Sequence, residues 1–319
     1  MRLTFPRVHF CEINDLSWFP HYLRERVQSC LTLCCTFRAP VLQKDSPAQL
    51  VASILYQTLS DSLVDYTYVD FCAGAGGPTP YIAKHLNTQL SHVRALQHMA
   101  YLNAGRPTLH GASNEAAVKF ILTDLHPHIT NWTDLSKRSD NLSFVSESVD
   151  AGNAPTYLNG KNGKKIFRLY NLAFHHFDDV MGKAILRNTI ETAHGFGFVT
   201  PLPSFLLLIV HSIFELQERT ISSFITVFCM GILMFLITPF YFWRSPGHVF
   251  FTYIIPVIPF VLVFDGIVSS LRTRSADEVR DLMKACGASC DGWSIKSGHE
   301  RHTWPTGYIT WSLSARNSA

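Results

Sequence analysis

The chain has 319 residues, enough for one large domain or two small ones around a sizeable core. Charged residues make up 16% and hydrophobic ones 47%, with a mean hydropathy of +0.11, which excludes disorder or low-complexity composition as the main state. A net charge of +3, with no Lys/Arg run longer than two, excludes a nucleic-acid footprint.

Residues 1–61 are expected to form an N-terminal helical region. No continuous apolar stretch follows Met1, so no secretory signal is expected. Leu16 to Cys35 mixes apolar and charged positions. Ser46-Pro47 ahead of Ala48 to Tyr56 places an N-cap and a proline at the first helical position.

The periodicity then changes, and residues 62–219 are expected to hold the first part of an α/β core. A first strand over 64–71 runs directly into Cys72-Ala-Gly-Ala-Gly-Gly-Pro78, and helical spacing resumes at Tyr81. A second strand, 118–124, ends on Asp124, and a third, 142–150, ends on Asp150. A fourth, 165–174, precedes His175-His176, and a helix follows over 181–191. A fifth strand is expected after Gly195, with its end at Phe214 to Gln217. Strands alternating with helices predict a Rossmann-like, seven-strand, mostly parallel sheet with helices on both faces.

Thr220 to Trp243 carries no formal charge over 24 residues, and a second uncharged run extends from His248 to Phe264. About 20 apolar residues cross the hydrocarbon layer as a helix, so 220–268 is predicted to be an inserted two-segment transmembrane hairpin. Pro239, Pro256 and Pro259 leave room for a kinked or re-entrant form, and a pair of buried core helices would show the same composition. Arg219, Arg272 and Arg274 flank the hairpin and favour a membrane-attached globular domain that faces the cytoplasm. The last part of the core, 269–319, is predicted to open with a helix capped by Ser275 and to close with strands over 292–296 and 308–313. The eight cysteines lack zinc spacing, so reduced structural thiols and no metal site are expected.

The chemistry concentrates at the glycine loop. Glycines at a strand end let the backbone turn tightly and approach a ligand, and the next helix N-terminus is expected to offer free N–H groups. Acids ending the second and third strands line the edge where open α/β sheets bind ligands. Asp124 is placed to accept from ribose hydroxyls and Asp150 to bond an adenine amino group, although either alone also suits a turn or a helix cap.

On Val69-Asp-Phe-Cys-Ala-Gly-Ala-Gly-Gly-Pro78, Leu122-Thr-Asp-Leu-His-Pro127, Val149-Asp150, Asn171 to Asp179 and Trp304 to Gly307, the chain resembles the class I S-adenosylmethionine-dependent methyltransferases. Within them it is similar to membrane-associated methyltransferase-like proteins of filamentous fungi. The resemblance covers roughly 62–315. It implies S-adenosylmethionine as cofactor, with Asp70, Gly74, Gly76 and Gly77 at its methionine and ribose end, Asp124 on the ribose, Asp150 on the adenine and Asn171 among the cofactor-binding residues. It also implies that His175 and His176 lie near the transferred methyl as candidate bases for a small-molecule or lipid acceptor. Two insertions depart from the family pattern. One, near 88–115, separates Gly76 from Asp124; the other, near 198–212, is expected to cut the fifth strand. The alternatives are a non-catalytic membrane protein that keeps the fold and an NAD-type oxidoreductase. The latter is disfavoured because Thr79 stands where G-x-G-x-x-G requires its third glycine.

Overall fold

The computed structural model describes residues 5–38, 43–104, 117–159, 164–202, 219, 221–303 and 307–316. Two helices lead, α1 (His21–Thr36) and α2 (Pro47–Leu59). Ser46 and Gln49 close the reciprocal capping box that, with Pro47, starts α2. The core then runs β1 (Tyr66–Phe71), α3 (Thr79–Asn103), β2 (Phe120–Thr123), α4 (Ile129–Ser136), β3 (Leu142–Phe144), β4 (Lys165–Asn171), α5 (Asp179–Thr192) and β5 (Gly195–Leu202). Three apolar helices, α6 (Ile221–Tyr241), α7 (Pro246–Tyr253) and α8 (Val257–Arg272), precede α9 (Ala276–Lys284), β6 (Trp293–Thr303) and β7 (Gly307–Arg316).

The strands form one sheet in the order β3-β2-β1-β4-β5-β7-β6. β1 to β5 pair in parallel, and β7 inserts antiparallel between β5 and β6. Strand order reverses between β1 and β4, so a crevice opens at the carboxyl ends of those two strands. This is the Rossmann-like, seven-strand sheet that the sequence predicts.

Both faces of the sheet are buried, as parallel strands require. Tyr68, Phe120, Phe167 and Leu169 pack under α2 and α3. Val69, Phe71, Tyr170 and Phe196 pack under α5 and α9. Arg168 points into the second layer fully buried; its guanidinium bonds Asn188, Thr189 and Thr192 of α5 and lies over the Phe71 ring. A third cluster joins α1 to α6 and α8 through Val27, Cys30, Cys34, Met230, Met234 and Val261.

Several boundaries differ from expectation. Of the insertion expected near 88–115, residues 88–103 continue α3, and 105–115 lie outside the described residues. The fifth strand is not cut at 198. It runs to Leu202 because β7 supplies backbone partners as far as Tyr308, and the expected strand end at 214–217 lies outside the described residues. The third strand stops at Phe144, six residues before Asp150. The expected N-terminal helix begins only at His21; ahead of it an extended strap carries one short 3-10 turn, Ile13–Asp15. The second apolar segment is broken into α7 and α8, bent by 73° at Ile254 to Pro256, where two prolines (256 and 259) stop a straight continuation.

Glycines on β5 make room for their neighbours. A Cβ on Gly195 would lie 2.5 Å from the Phe167 ring, and one on Gly197 would run into Leu313. Gly195→Ala and Gly197→Ala are each expected to lower the unfolding free energy by about 1–3 kcal/mol through overpacking, measured by urea denaturation.

Candidate functional site

β1 ends in a backbone that turns sharply. Cys72 takes φ 64° and Gly74, Gly76 and Gly77 are also left-handed, at 52°, 110° and 47°. Gly76 cannot be replaced cheaply, since a Cβ there would meet Leu135 at 2.6 Å. Leu172, just past β4, is left-handed as well, so both strands flanking the crevice end in strained residues. The loop is held from two sides. Asp124 Oδ2 accepts from Gly74 N at 2.9 Å, and the buried Trp132 indole donates to Gly74 O at 2.9 Å.

Asp70, Thr79 and Asn171 form a buried triad beneath this loop. Thr79 Oγ1 donates to Asp70 Oδ2 at 2.5 Å, and Asn171 Nδ2 donates to Thr79 Oγ1 at 2.9 Å. Asp70 Oδ1 has no partner and the residue is 2% exposed. Burial pushes its pKa up to about 7, against the hydrogen bonds from Thr79 and Asn171.

Above the loop lies a cleft of about 860 Å³ lined by Gly74, by Asp124 to Asn131, by strap residues Asn14, Asp15 and Ser17, and by the inner face of α1. Its charged lining is three carboxylates (Asp15, Glu25 and Asp124) and one guanidinium, Arg24. Arg24 is committed to the carbonyls of Asn14, Leu16 and Phe19, which fixes the strap over the cleft. Two further acceptors on the wall, Asn14 Oδ1 and Gln28 Oε1, have no partner. Asp124 Oδ1 accepts from His126 N, so each of its oxygens retains a free lone pair. Asp150 is exposed and closes a turn by accepting from Gly152 N; Val149 N bonds Asp124 O, which brings it back to the same edge without a strand beneath it. The helix N-terminus is poorer in donors than expected, because Pro78 and Pro80 occupy its first turn and lack N–H groups.

His175 and His176 follow β4 on a 3-10 turn and face the strap. His175 is buried, with Nε2 3.4 Å from Glu12 Oε1; His176 Nε2 is 3.9 Å from Glu12 Oε2, and its Nδ1 is 3.0 Å from Asp15 Oδ2. Arg272 Nη1 and Ser269 Oγ, both from α8, bind Glu12 Oε1 at 2.8 and 2.7 Å. Burial, then the charge of His176, pushes the His175 pKa down to about 4. Burial opposes charging of His176 too, yet the Asp15 hydrogen bond and the Glu12 charge hold it above the usual range. Burial likewise works against the Glu12 anion, but the approach of His175 and the charges of both histidines keep its pKa well below the carboxylate range. Glu12 and Asp15 escape sequence reasoning: they lie about 160 residues from the histidines, and their one local signal is two acids on a segment without helical periodicity.

No known protein-family profile matches the sequence, and no curated protein matches it. Among solved structures, the pyocyanin biosynthetic protein PhzM is similar over 85% of this chain and 56% of its own, at 14% identity and a TM-score of 0.41. The plantazolicin methyltransferase BamL, in complex with a triazolic desmethylPZN analog and SAH, is similar over 95% and 94%, at 11% identity and a TM-score of 0.47. The magnesium protoporphyrin IX methyltransferase of Synechocystis, with bound SAM, is similar over 96% and 88%, at 9% identity and a TM-score of 0.39. These are distant likenesses of the sheet, and this chain spans little more than half of PhzM.

The buried Asp70 gives the site a pH signature. Its folded pKa lies above the unfolded one, so the group costs no stability below about pH 4; the cost grows as pH rises and is complete above about pH 7. Asp70→Asn is expected to be more stable than the parent by about 1–3 kcal/mol at pH 8 and to lose that advantage below pH 4, measured by denaturant melts at the two pH values.

Proposed function

We propose that the chain is a membrane-tethered S-adenosylmethionine-dependent methyltransferase acting on a small-molecule or lipid acceptor. One observation carries the cofactor assignment. The cleft above the glycine loop, between the ends of β1 and β2 and under the strap and α1, is rich in carboxylates, with unpartnered acceptors on the residues that line it, and the helix beside it has lost donors to two prolines. A dinucleotide places an anionic pyrophosphate on that helix N-terminus and would meet the opposite field. A nucleoside bearing a sulfonium and an ammonium group matches it in charge and in donors.

In this assignment Asp124 accepts from the ribose hydroxyls and Asp150 from the adenine amino group. Gly74, Gly76 and Gly77 let the loop backbone approach, and the buried Asp70 and Asn171 set the loop's shape and field from below. Bound there, the cofactor supplies an activated methyl group, so the protein has only to align an acceptor and exclude water. The strap and α1 wall the cleft for that purpose. His176, half-exposed beside Asp15, is the member of the histidine pair placed to exchange a proton with an acceptor; His175 packs behind it, ring centroids 4.2 Å apart.

Tethering rests on the outer face of the apolar helices. Phe228, Ile232, Leu236 and Phe240 form an exposed stripe on α6, and Phe260 and Phe264 of α8 are exposed as well. Residues Ser223–Tyr241 are long and apolar enough to cross a bilayer. The second arm, α7 with α8, is long and apolar enough only as a pair bent by 73°, and from Asp265 onward α8 docks on the strap. A re-entrant hairpin, dipping from the side on which the globular domain lies, suits this shape better than two full crossings. Arg219, Arg272 and Arg274 stand on the globular side, which we place in the cytoplasm, although each is ion-paired, to Glu278, Glu12 and Asp179.

Isothermal titration of the full chain is expected to give heat with S-adenosylmethionine and none with NAD, and Asp124→Ala to weaken that binding at least tenfold. Heat with NAD alone favours the oxidoreductase alternative, and heat with neither favours a non-catalytic scaffold. In a vesicle flotation assay the parent is expected in the lipid fraction, and the triple variant Phe228→Ser, Ile232→Ser, Phe240→Ser in the soluble one; equal flotation overturns the tether.

A further inference from the structure

We propose that Glu12, His175 and His176 form a binding site for one divalent first-row transition ion of the zinc or ferrous class, at the junction of strap, α8 and the β4 loop. One ligand atom from each residue lies within 4.8 Å of the other two. Ligands about 2.1 Å from a tetrahedral ion stand roughly 3.4 Å apart, so ligand atoms within 4.8 Å of one another need a closure of about 1.4 Å or less; the imidazoles lie 3.4 Å from Glu12 Oε1 and 3.9 Å from Glu12 Oε2. Two imidazoles and one carboxylate suit zinc and iron better than magnesium or calcium, which prefer all-oxygen shells.

Three features beyond proximity point to an ion. First, His175 Nε2 is buried, aims at Glu12 and makes no hydrogen bond of acceptable geometry. Second, His176 Nδ1 is held by Asp15 Oδ2 at 3.0 Å, which directs Nε2 toward Glu12 Oε2 at 3.9 Å. That carboxylate–histidine arrangement is the usual outer support of a metal-bound imidazole. Third, the carboxylate is itself oriented: Ser269 and Arg272 hold Oε1, the oxygen 3.4 Å from His175, and leave Oε2 toward His176. Arg272 also touches Asp15 at 3.3 Å, so the two carboxylates share one guanidinium. His9 Nε2, 3.2 Å from His176 O, adds a neighbouring imidazole that faces the backbone and not the centre.

Three protein ligands leave coordination positions open. His176 and Asp15 are the partly exposed members, and Asp15 also lines the cleft, so the open side lies toward it. An acceptor hydroxyl bound there would be acidified by the ion, and its proton would pass to the Asp15 carboxylate or to water in the cleft, so that His176 would serve as ligand and not as base. The ion site stands independently of the cofactor assignment.

The test is a titration of the full chain, freed of metal, with Zn2+ by calorimetry and with Co2+ by visible absorption. One-to-one binding is expected, with Co2+ showing ligand-field bands and no thiolate charge-transfer band. His176→Ala and Glu12→Gln are expected to abolish it, and Asp15→Asn to weaken it about 10–100-fold while leaving the spectrum's shape unchanged. Circular dichroism checks that each variant folds; should Glu12→Gln fail, the half-exposed His176→Ala decides alone. Absence of binding, binding unchanged in His176→Ala, or a thiolate band that reports the cysteines instead each overturns the proposal. Omitting S-adenosylmethionine throughout separates failure of this site from failure of the cofactor assignment.

Discussion

The polar seam between α8 and the N-terminal strap organises the functional end of this molecule. Asp265, Ser269 and Arg272 recur at i, i+4 and i+7 on a helix that is otherwise apolar, so they share one face. Asp265 accepts from the backbone of Ile13 and Asn14 at 2.7 and 3.0 Å, while Ser269 and Arg272 hold Glu12. The strap has almost no regular hydrogen bonding of its own, so these contacts and the Arg24 fork decide where it lies. Breaking one partner of a buried pair leaves the other charge unsolvated and costs about 3–5 kcal/mol, so this seam tolerates substitution poorly.

Electrostatics at the crevice follow from the same economy of donors. A strand-order switch makes the opening, but the side chains around it decide what enters. Here the loop spends Gly74 N on Asp124 and Gly76 N on Ala73 O. With prolines at 78 and 80, the first turn of α3 has little left to offer an anion. Asp70 adds a carboxylate below the loop, at the cost of burial that lifts its pKa to about 7. The left-handed Cys72 and Leu172 mark both strand ends as over-determined by their surroundings, the pattern expected of a pre-organised ligand edge.

Much of the sheet was legible in the sequence because its signals are local. Ser46-Pro47 and Ser275 with Glu278 are cap chemistry, and both helices begin where those residues predict. The glycine loop after β1 and Asp124 after β2 also fall where periodicity puts them, whereas β4 ends at Asn171, three residues before the expected 174. What was illegible is long-range. The continuation of β5 through Phe198 to Leu202 depends on β7, more than a hundred residues away, and nothing in the Pro-Leu-Pro composition announces it. Asp150 ends no strand because β3 pairs with β2 over just three residues. The histidine pair was visible, but its partners Glu12 and Asp15 come from a strap whose placement is a tertiary property.

The apolar helices and the cleft belong to one mechanical unit. α6 packs on α8 and both pack on α1 through the Val27, Met230 and Val261 cluster, and α1 supplies a wall of the cleft with His21, Arg24 and Gln28. The opposite face of α6 is bare and apolar. Whatever covers that face therefore bears on helices that also position the strap, with Asp265 and Arg272 as the direct links. A membrane at this surface would fix the orientation of α8 and, through it, of Glu12, Asp15 and the histidines. The last two turns of α8 form one side of the histidine–carboxylate cluster, so losing the helices between β5 and α9 would dismantle that cluster.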